Sequence, residues 1–135
     1  MLSSTCDQGD SMIDFTNASY MKLAPWDLAQ AHGELHEILI ADEVIHLAFK
    51  GMRDSVTFTN RRLIALNVQG ITGKKKDYTS LPYSKIQAFS VETAGTFDLD
   101  SELELWFSGL GRIKLEFSRG VDIRGLNRLI GDHVL

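Results

Sequence analysis

Residues 101–117 read SELELWFSGLGRIKLEF. Leu103, Leu105 and Phe107 alternate with Glu102, Glu104 and Trp106. Ile113, Leu115 and Phe117 then alternate with Arg112, Lys114 and Glu116. A period of two with one apolar face marks a pair of half-buried strands. The loop between them sets the register. Successive side chains point to opposite faces, so the apolar sides coincide only when partners differ by an even number of residues. A two-residue turn would put Phe107 opposite Arg112 and fails. A three-residue loop pairs Leu105 with Ile113, Glu104 with Lys114 and Trp106 with Arg112. That register sets unlike charges, and a guanidinium and an indole, across from each other, each pair contributing about a few tenths of a kcal/mol.

The segment VDIRGLNRLIGDHVL follows. Ile123, Leu126, Ile130 and Val134 recur at spacings of 3, 4 and 4, the period of an amphipathic helix, with Arg124 and Arg128 on its polar side. Gly125 and Gly131 make it a poor helix in isolation, so packing must hold it.

Upstream, the period of two extends from Glu43. Ile45, Leu47 and Phe49 form one face, and so do Val56 and Phe58. RLIALNV is apolar on both sides, as a doubly covered strand is. The stretch NVQGITGKKKDY reads as a hairpin turn entering a polar strand. Pro82 ends that strand or places it at an edge, and KIQAFSVET is the next strand. At TNRR, Asn60 suits a tight turn with left-handed angles, leaving Arg61 and Arg62 as solvated rim residues. Before the strands, APWDLAQAHGELHEIL predicts a helix with Pro25 in its first turn and a stripe of Leu28, Ala31, Leu35, Ile38 and Leu39. Gly33 weakens its middle. Residues 1–22 lack a clear period and read as a flexible tail, with residues 23–135 forming a single domain.

The predicted fold is therefore mainly β, of the α+β class: about seven antiparallel strands bent into a barrel, a C-terminal amphipathic helix capping the open end, and an extra N-terminal helix. That is the layout of a pleckstrin-homology (PH) barrel.

Particular residues carry a family resemblance as well. FKGMRDS, FTNRRLIAL, LPYSKI at 81–86 and ETAGTFDLDSEL at 92–103, in that order, resemble the bacterial PH domain family, formerly a domain of unknown function. The likeness spans Trp26 to Leu135. It implies a PH fold, no known catalysis, and assembly into homo-oligomers, sometimes rings. It supplies no proven ligand.

Charge narrows the partners. Of 18 acidic residues, Asp7, Asp10 and Asp14 precede Met21, whereas all 14 basic residues follow it. The remainder, with 15 acidic against 14 basic side chains, is nearly neutral, although the whole chain carries −4. Nucleic-acid binding needs a basic surface and is not expected. The N-terminus shows neither a basic region nor an apolar run, and Cys6 is the single cysteine, so the expected location is the cytoplasm.

The candidate ligand-binding residues are basic. The loop KGMRDS offers Lys50 and Arg53, matching the loop that eukaryotic PH domains use for phosphoinositides, and a later turn offers Lys74, Lys75 and Lys76. Three lysines beside an anionic surface contribute about 1 kcal/mol each, which holds one subunit poorly. A membrane surface is therefore the less favoured partner. Trp26, Ile38 and Leu39 are the candidates for an oligomer interface. His32 and His36 share a helical face, but Gly33 and Leu35 stand where a zincin carries glutamate, and no third ligand is evident, so neither metal nor cofactor is expected. Asp98, Asp100, Glu102 and Glu104 share a strand face, but Leu103 occupies the glycine position of a calcium loop. GxSxG, P-loop and GxGxxG motifs are lacking, and no enzyme is expected. The expected function is a non-catalytic interaction module that self-associates and also meets an unidentified protein partner. The alternative is weak binding of anionic lipid or phosphate through Lys74–Lys76.

Overall fold

A computed structural model describes residues 18–69, 73–95, 100–118 and 120–135. Along the chain come β1 (Ala18–Pro25), α1 (Leu28–Leu35), β2 (Ile45–Lys50), β3 (Asp54–Thr59), β4 (Arg62–Gln69) and β5 (Lys75–Pro82). A 3₁₀ turn at Tyr83–Lys85 leads to β6 (Ile86–Glu92), β7 (Ser101–Phe107), β8 (Gly111–Phe117) and α2 (Ile123–Val134). Among the described residues the strands form one sheet of eight, ordered β5-β4-β3-β2-β1-β8-β7-β6. Its two ends stay unpaired with each other, so the sheet bends without closing.

The bend is driven by burial. Val56, Phe58, Leu63 and Leu81 from one half share a single apolar cluster with Leu103, Leu105, Ile113, Leu115 and Phe117 from the other. Helix α2 joins this cluster with Ile123, Leu126 and Ile130, exposed by 5%, 1% and 0%, while Val134 packs at the margin. The stripe therefore does what its spacing predicts. Asp122 caps α2 by accepting from the Gly125 N–H at 3.0 Å. A Cβ at Gly125 would collide with the Asp122 carboxylate, so this glycine keeps the cap open at some cost in helix propensity.

The β7–β8 register is as predicted: Leu105 opposite Ile113, Glu104 opposite Lys114, Trp106 opposite Arg112. The ion pairs instead run diagonally. Arg112 bonds Glu104 at 2.6 Å and Lys114 bonds Glu102 at 3.3 Å. Arg112 thus chooses a carboxylate over the Trp106 ring. The register sets Glu102 directly against Glu92 and Glu116, and Lys114 on β8, bonded to Glu102, offsets their repulsion.

Three expectations change. The segment read as tail reaches residue 22, yet Ala18–Lys22 lie in β1. This strand pairs in parallel with β8 and antiparallel with β2 at Ala24 and Pro25, raising the strand count and adding a parallel ladder to an otherwise antiparallel sheet. It escapes a period-two reading because Lys22 sits at φ 57° within a bulge, turning Tyr20 and Leu23, three apart, to the same core. Pro25 closes this strand instead of opening a helix, because the Trp26 N–H stays in the sheet, donating to the Ala48 carbonyl at 2.9 Å. Helix α1 starts after Asp27, whose side chain accepts from the Gln30 N–H, and ends at Leu35. It is thus shorter than predicted. Ala31 and Leu35 are buried, Leu28 is exposed, Ile38 falls in the turn beyond and Leu39 just after it.

Helix α1 covers the outer face of β2–β4. There Ala48, Thr57 and Ile64 are successive cross-strand partners, and so are Lys50, Ser55 and Leu66. This second layer explains why RLIALNV is apolar on both sides. Replacing Leu126 by Ala should lower the unfolding free energy by about 3 kcal/mol, since it empties the junction of both halves and α2. Urea denaturation followed by tryptophan fluorescence measures the loss.

Candidate functional site

The basic residues singled out in the sequence meet different fates. Arg62 is no rim residue. Its Nε and Nη2 donate to the two oxygens of Glu43 at 2.9 and 2.8 Å, Nη1 donates to Ser80 Oγ, and Nη2 also reaches the Ile38 carbonyl. The Glu43 side chain is fully buried and that of Arg62 is 17% exposed. Thr59 and the Ile40 N–H donate to the same carboxylate. Burial pushes the Glu43 carboxyl up, but the bonds from Arg62, Thr59 and Ile40 and the Arg62 charge outweigh it, leaving a pKa of about 2.

The adjoining turn is built differently from the prediction. Asn60 does not adopt left-handed angles. Its side chain bridges to the preceding loop, accepting from the Val44 N–H and donating to the Asp42 carbonyl. Thr59 Oγ1 accepts from the N–H groups of Arg61 and Arg62 and closes the hairpin. TNRR is thus a clamp holding the 38–44 segment to the sheet.

The β2–β3 loop lies beside the end of β4 and the start of β5, where the Val68 N–H donates to the Arg53 carbonyl. Lys74, Lys75 and Lys76 are exposed there, but Lys76 is committed to Glu34 on α1 at 2.6 Å. The Tyr78 hydroxyl donates to the same Glu34 oxygen at 3.1 Å. The bond from Lys76 is the main reason the Glu34 carboxyl lies below its ordinary range.

Lys50 and Arg53 come together on the wall of a cavity of about 240 Å³ between α1, Trp26 and the β2–β3 loop. Lys50 Nζ lies 5.3 Å from the centre of the Trp26 ring. Glu34 and Asp54 line the same space, with Ser55, Leu66, Val68 and Met52. Burial raises the Asp54 carboxyl and the neighbouring Arg53 draws it back down in part. Lys74 and Lys75 are not among the lining residues. The carboxylates and Ser55 escaped the sequence reading, since nothing in their local spacing singles them out.

Trp26 also borders a larger groove of about 700 Å³ between β2 and α2, floored by Leu47, Phe49, Val121, Leu126 and Leu129. At one end His133 stacks on Tyr83 at 4.4 Å and lies 5.8 Å from His46. Ile38 and Leu39 line neither cavity; both are half-buried beside the Arg62 clamp. His32 and His36 stack at 6.1 Å on α1. Among the described residues no three His, Cys, Asp or Glu side chains gather around one point. Glu102 and Glu104 pair with lysine and arginine, and Asp98 lies outside the described residues.

A bent sheet stoppered by a C-terminal helix, with shallow cavities at its rim, defines a PH-like module. The chain matches the Bacterial PH domain family over residues 14–134 and belongs to it. It is 45% identical over 104 residues to the uncharacterized protein YjqA of Bacillus subtilis (strain 168), spanning 76% of this chain and 83% of that one. A DUF1696 family protein with a pleckstrin-homology domain from Shewanella loihica PV-4 shares 42% identity and superposes with a TM-score of 0.75, over 86% of this chain and 100% of that one. A pleckstrin homology domain from Shewanella amazonensis SB2B shares 46% identity at a TM-score of 0.63, over 82% and 90%.

The Glu43 clamp has a pH signature. A carboxyl depressed in the folded state stabilises above its ordinary pKa of 4.5, and that contribution is lost as pH falls towards about 2. Glu43→Gln should cost about 3 kcal/mol near neutrality. The gap between variant and parent should close as denaturation curves are repeated from about pH 5 down to about pH 2.

Proposed function

We propose that this chain is a non-catalytic cytoplasmic interaction module that assembles with copies of itself, and that the layer from Trp26 to Val44 forms the contact. One observation carries the reading. Three of the six most exposed large apolar side chains among the described residues lie in this layer, Leu28 at the start of α1 and Ile40 and Val44 in the segment after it, at 46%, 53% and 57% exposure. Half-buried Trp26, Ile38 and Leu39 adjoin them. The clamp of Arg62, Glu43 and Asn60 fixes this layer, so docking it costs little ordering entropy. The edge strand β5 is a poorer contact, because Lys75, Lys76, Asp77 and Pro82 blunt it against pairing. A closed ring is the symmetric form such a contact takes when it joins unlike faces of neighbouring subunits.

Light scattering after gel filtration should give a species well above the 15.1 kDa of one chain at micromolar concentration. The Ile40→Lys, Val44→Lys double variant should run as a single chain with an unchanged circular dichroism spectrum. A parent protein that already runs at 15.1 kDa overturns the reading.

A second reading, binding of an anionic lipid or phosphate surface, draws on Lys74 and Lys75 with Met52, 96% exposed, on the neighbouring loop. With Lys76 engaged by Glu34, the two free lysines contribute about 1 kcal/mol each, enough only when several subunits bind together. Co-sedimentation with phosphatidylserine vesicles should then be weak, and lost in Lys74→Ala, Lys75→Ala protein and in the single-chain variant.

A further inference from the structure

Lys50, Arg53, Glu34 and Asp54 line the cavity beneath α1, two residues of each sign. Lys50, Ser55, Leu66 and Tyr78 are successive cross-strand partners on the outer face of the sheet. Lys50 stands at one end of this row. At the other end Glu34 hangs from α1, anchored by Tyr78 and Lys76. Lys50 and Tyr78 lie three strand spacings apart, about 14 Å between Cα atoms, and both Lys50 and Glu34 line the space above the row. Lys50 contacts the Trp26 ring and forms no ion pair with either carboxylate of the cavity. Lys76 and Tyr78 both bond Oε2 of Glu34, which leaves Oε1 for another donor.

Between the charged ends the floor is Ser55, Leu66 and Val68, with Trp26 as a wall. The Ser55 hydroxyl has no hydrogen-bond partner, although the residue is only 2% exposed. A buried hydroxyl left unpaired is costly, and a ligand that accepts its proton removes that cost. A simple anion would meet Glu34 and Asp54, and a simple cation would meet Lys50 and Arg53. Neither is favoured by a balanced site.

We infer that this cavity binds a small zwitterion of the ω-amino-acid type. Its carboxylate lies over Lys50 and accepts from Ser55, its alkyl chain runs along Trp26 and Leu66, and its ammonium meets Glu34.

The test is titration of the full chain with 6-aminohexanoate, followed by NMR through the two tryptophan indole N–H signals. The Trp26 signal should shift saturably while that of Trp106, on β7, stays in place. Hexanoate and hexylamine should each bind roughly ten-fold more weakly, as should Lys50→Gln and Glu34→Gln proteins, the loss of one charge-assisted bond. Because Glu34 also holds Lys76, Ser55→Ala provides a variant that spares both ion pairs: it should weaken binding several-fold without lowering the melting temperature. The inference is overturned by the lack of a saturable shift, by hexanoate or inorganic phosphate binding as tightly as the zwitterion, or by unchanged affinity in Lys50→Gln and Ser55→Ala.

Discussion

A bent sheet with an open mouth has an apolar interior that water would otherwise wet, and here α2 keeps it dry. Ile123, Leu126 and Ile130 join the apolar cluster that the two halves of the sheet share, so helix and bend are buried together. Neither part is stable alone. Two glycines weaken the helix, and the half-sheets lack a partner for their inner faces. Every rim feature, including both cavities, takes its position from that mutual burial.

A second constraint acts on the outside. Glu43, fully buried, gathers donors from Arg62, Thr59 and Ile40, while Asn60 ties the hairpin to the loop before β2. A buried ion pair contributes little net stability compared with an apolar replacement, but losing one partner strands the other. Its consequence here is positional. It fixes residues 38–44 and with them the apolar surface around α1, so what reads as a solvated basic turn is part of the scaffold.

The same layer separates two kinds of chemistry. Trp26 borders both cavities, one apolar and leading to α2, the other zwitterionic and roofed by α1. Its position follows from a single bond to the Ala48 carbonyl that delays the start of α1. Both cavities thus adjoin the N-terminal layer and the loops beside it.

What could be read locally was read from the sequence. The β7–β8 register followed from side-chain parity and the α2 stripe from its period, because both depend on residues within one hairpin or one helix. The charge balance likewise disfavoured a polyanionic partner. Strand β1 was hidden by its bulge at Lys22, and its parallel partner lies about ninety-five residues away, a relation no local period encodes. The candidate site was legible only in part. Lys50 and Arg53 stood out as charges on a loop, but their opposites Glu34 and Asp54 and the unpaired Ser55 belong to other elements. Whether a lysine is free, as at Lys75, or spent, as at Lys76, depends on what the fold brings within a few ångströms, and electrostatics and desolvation act through space and not along the chain.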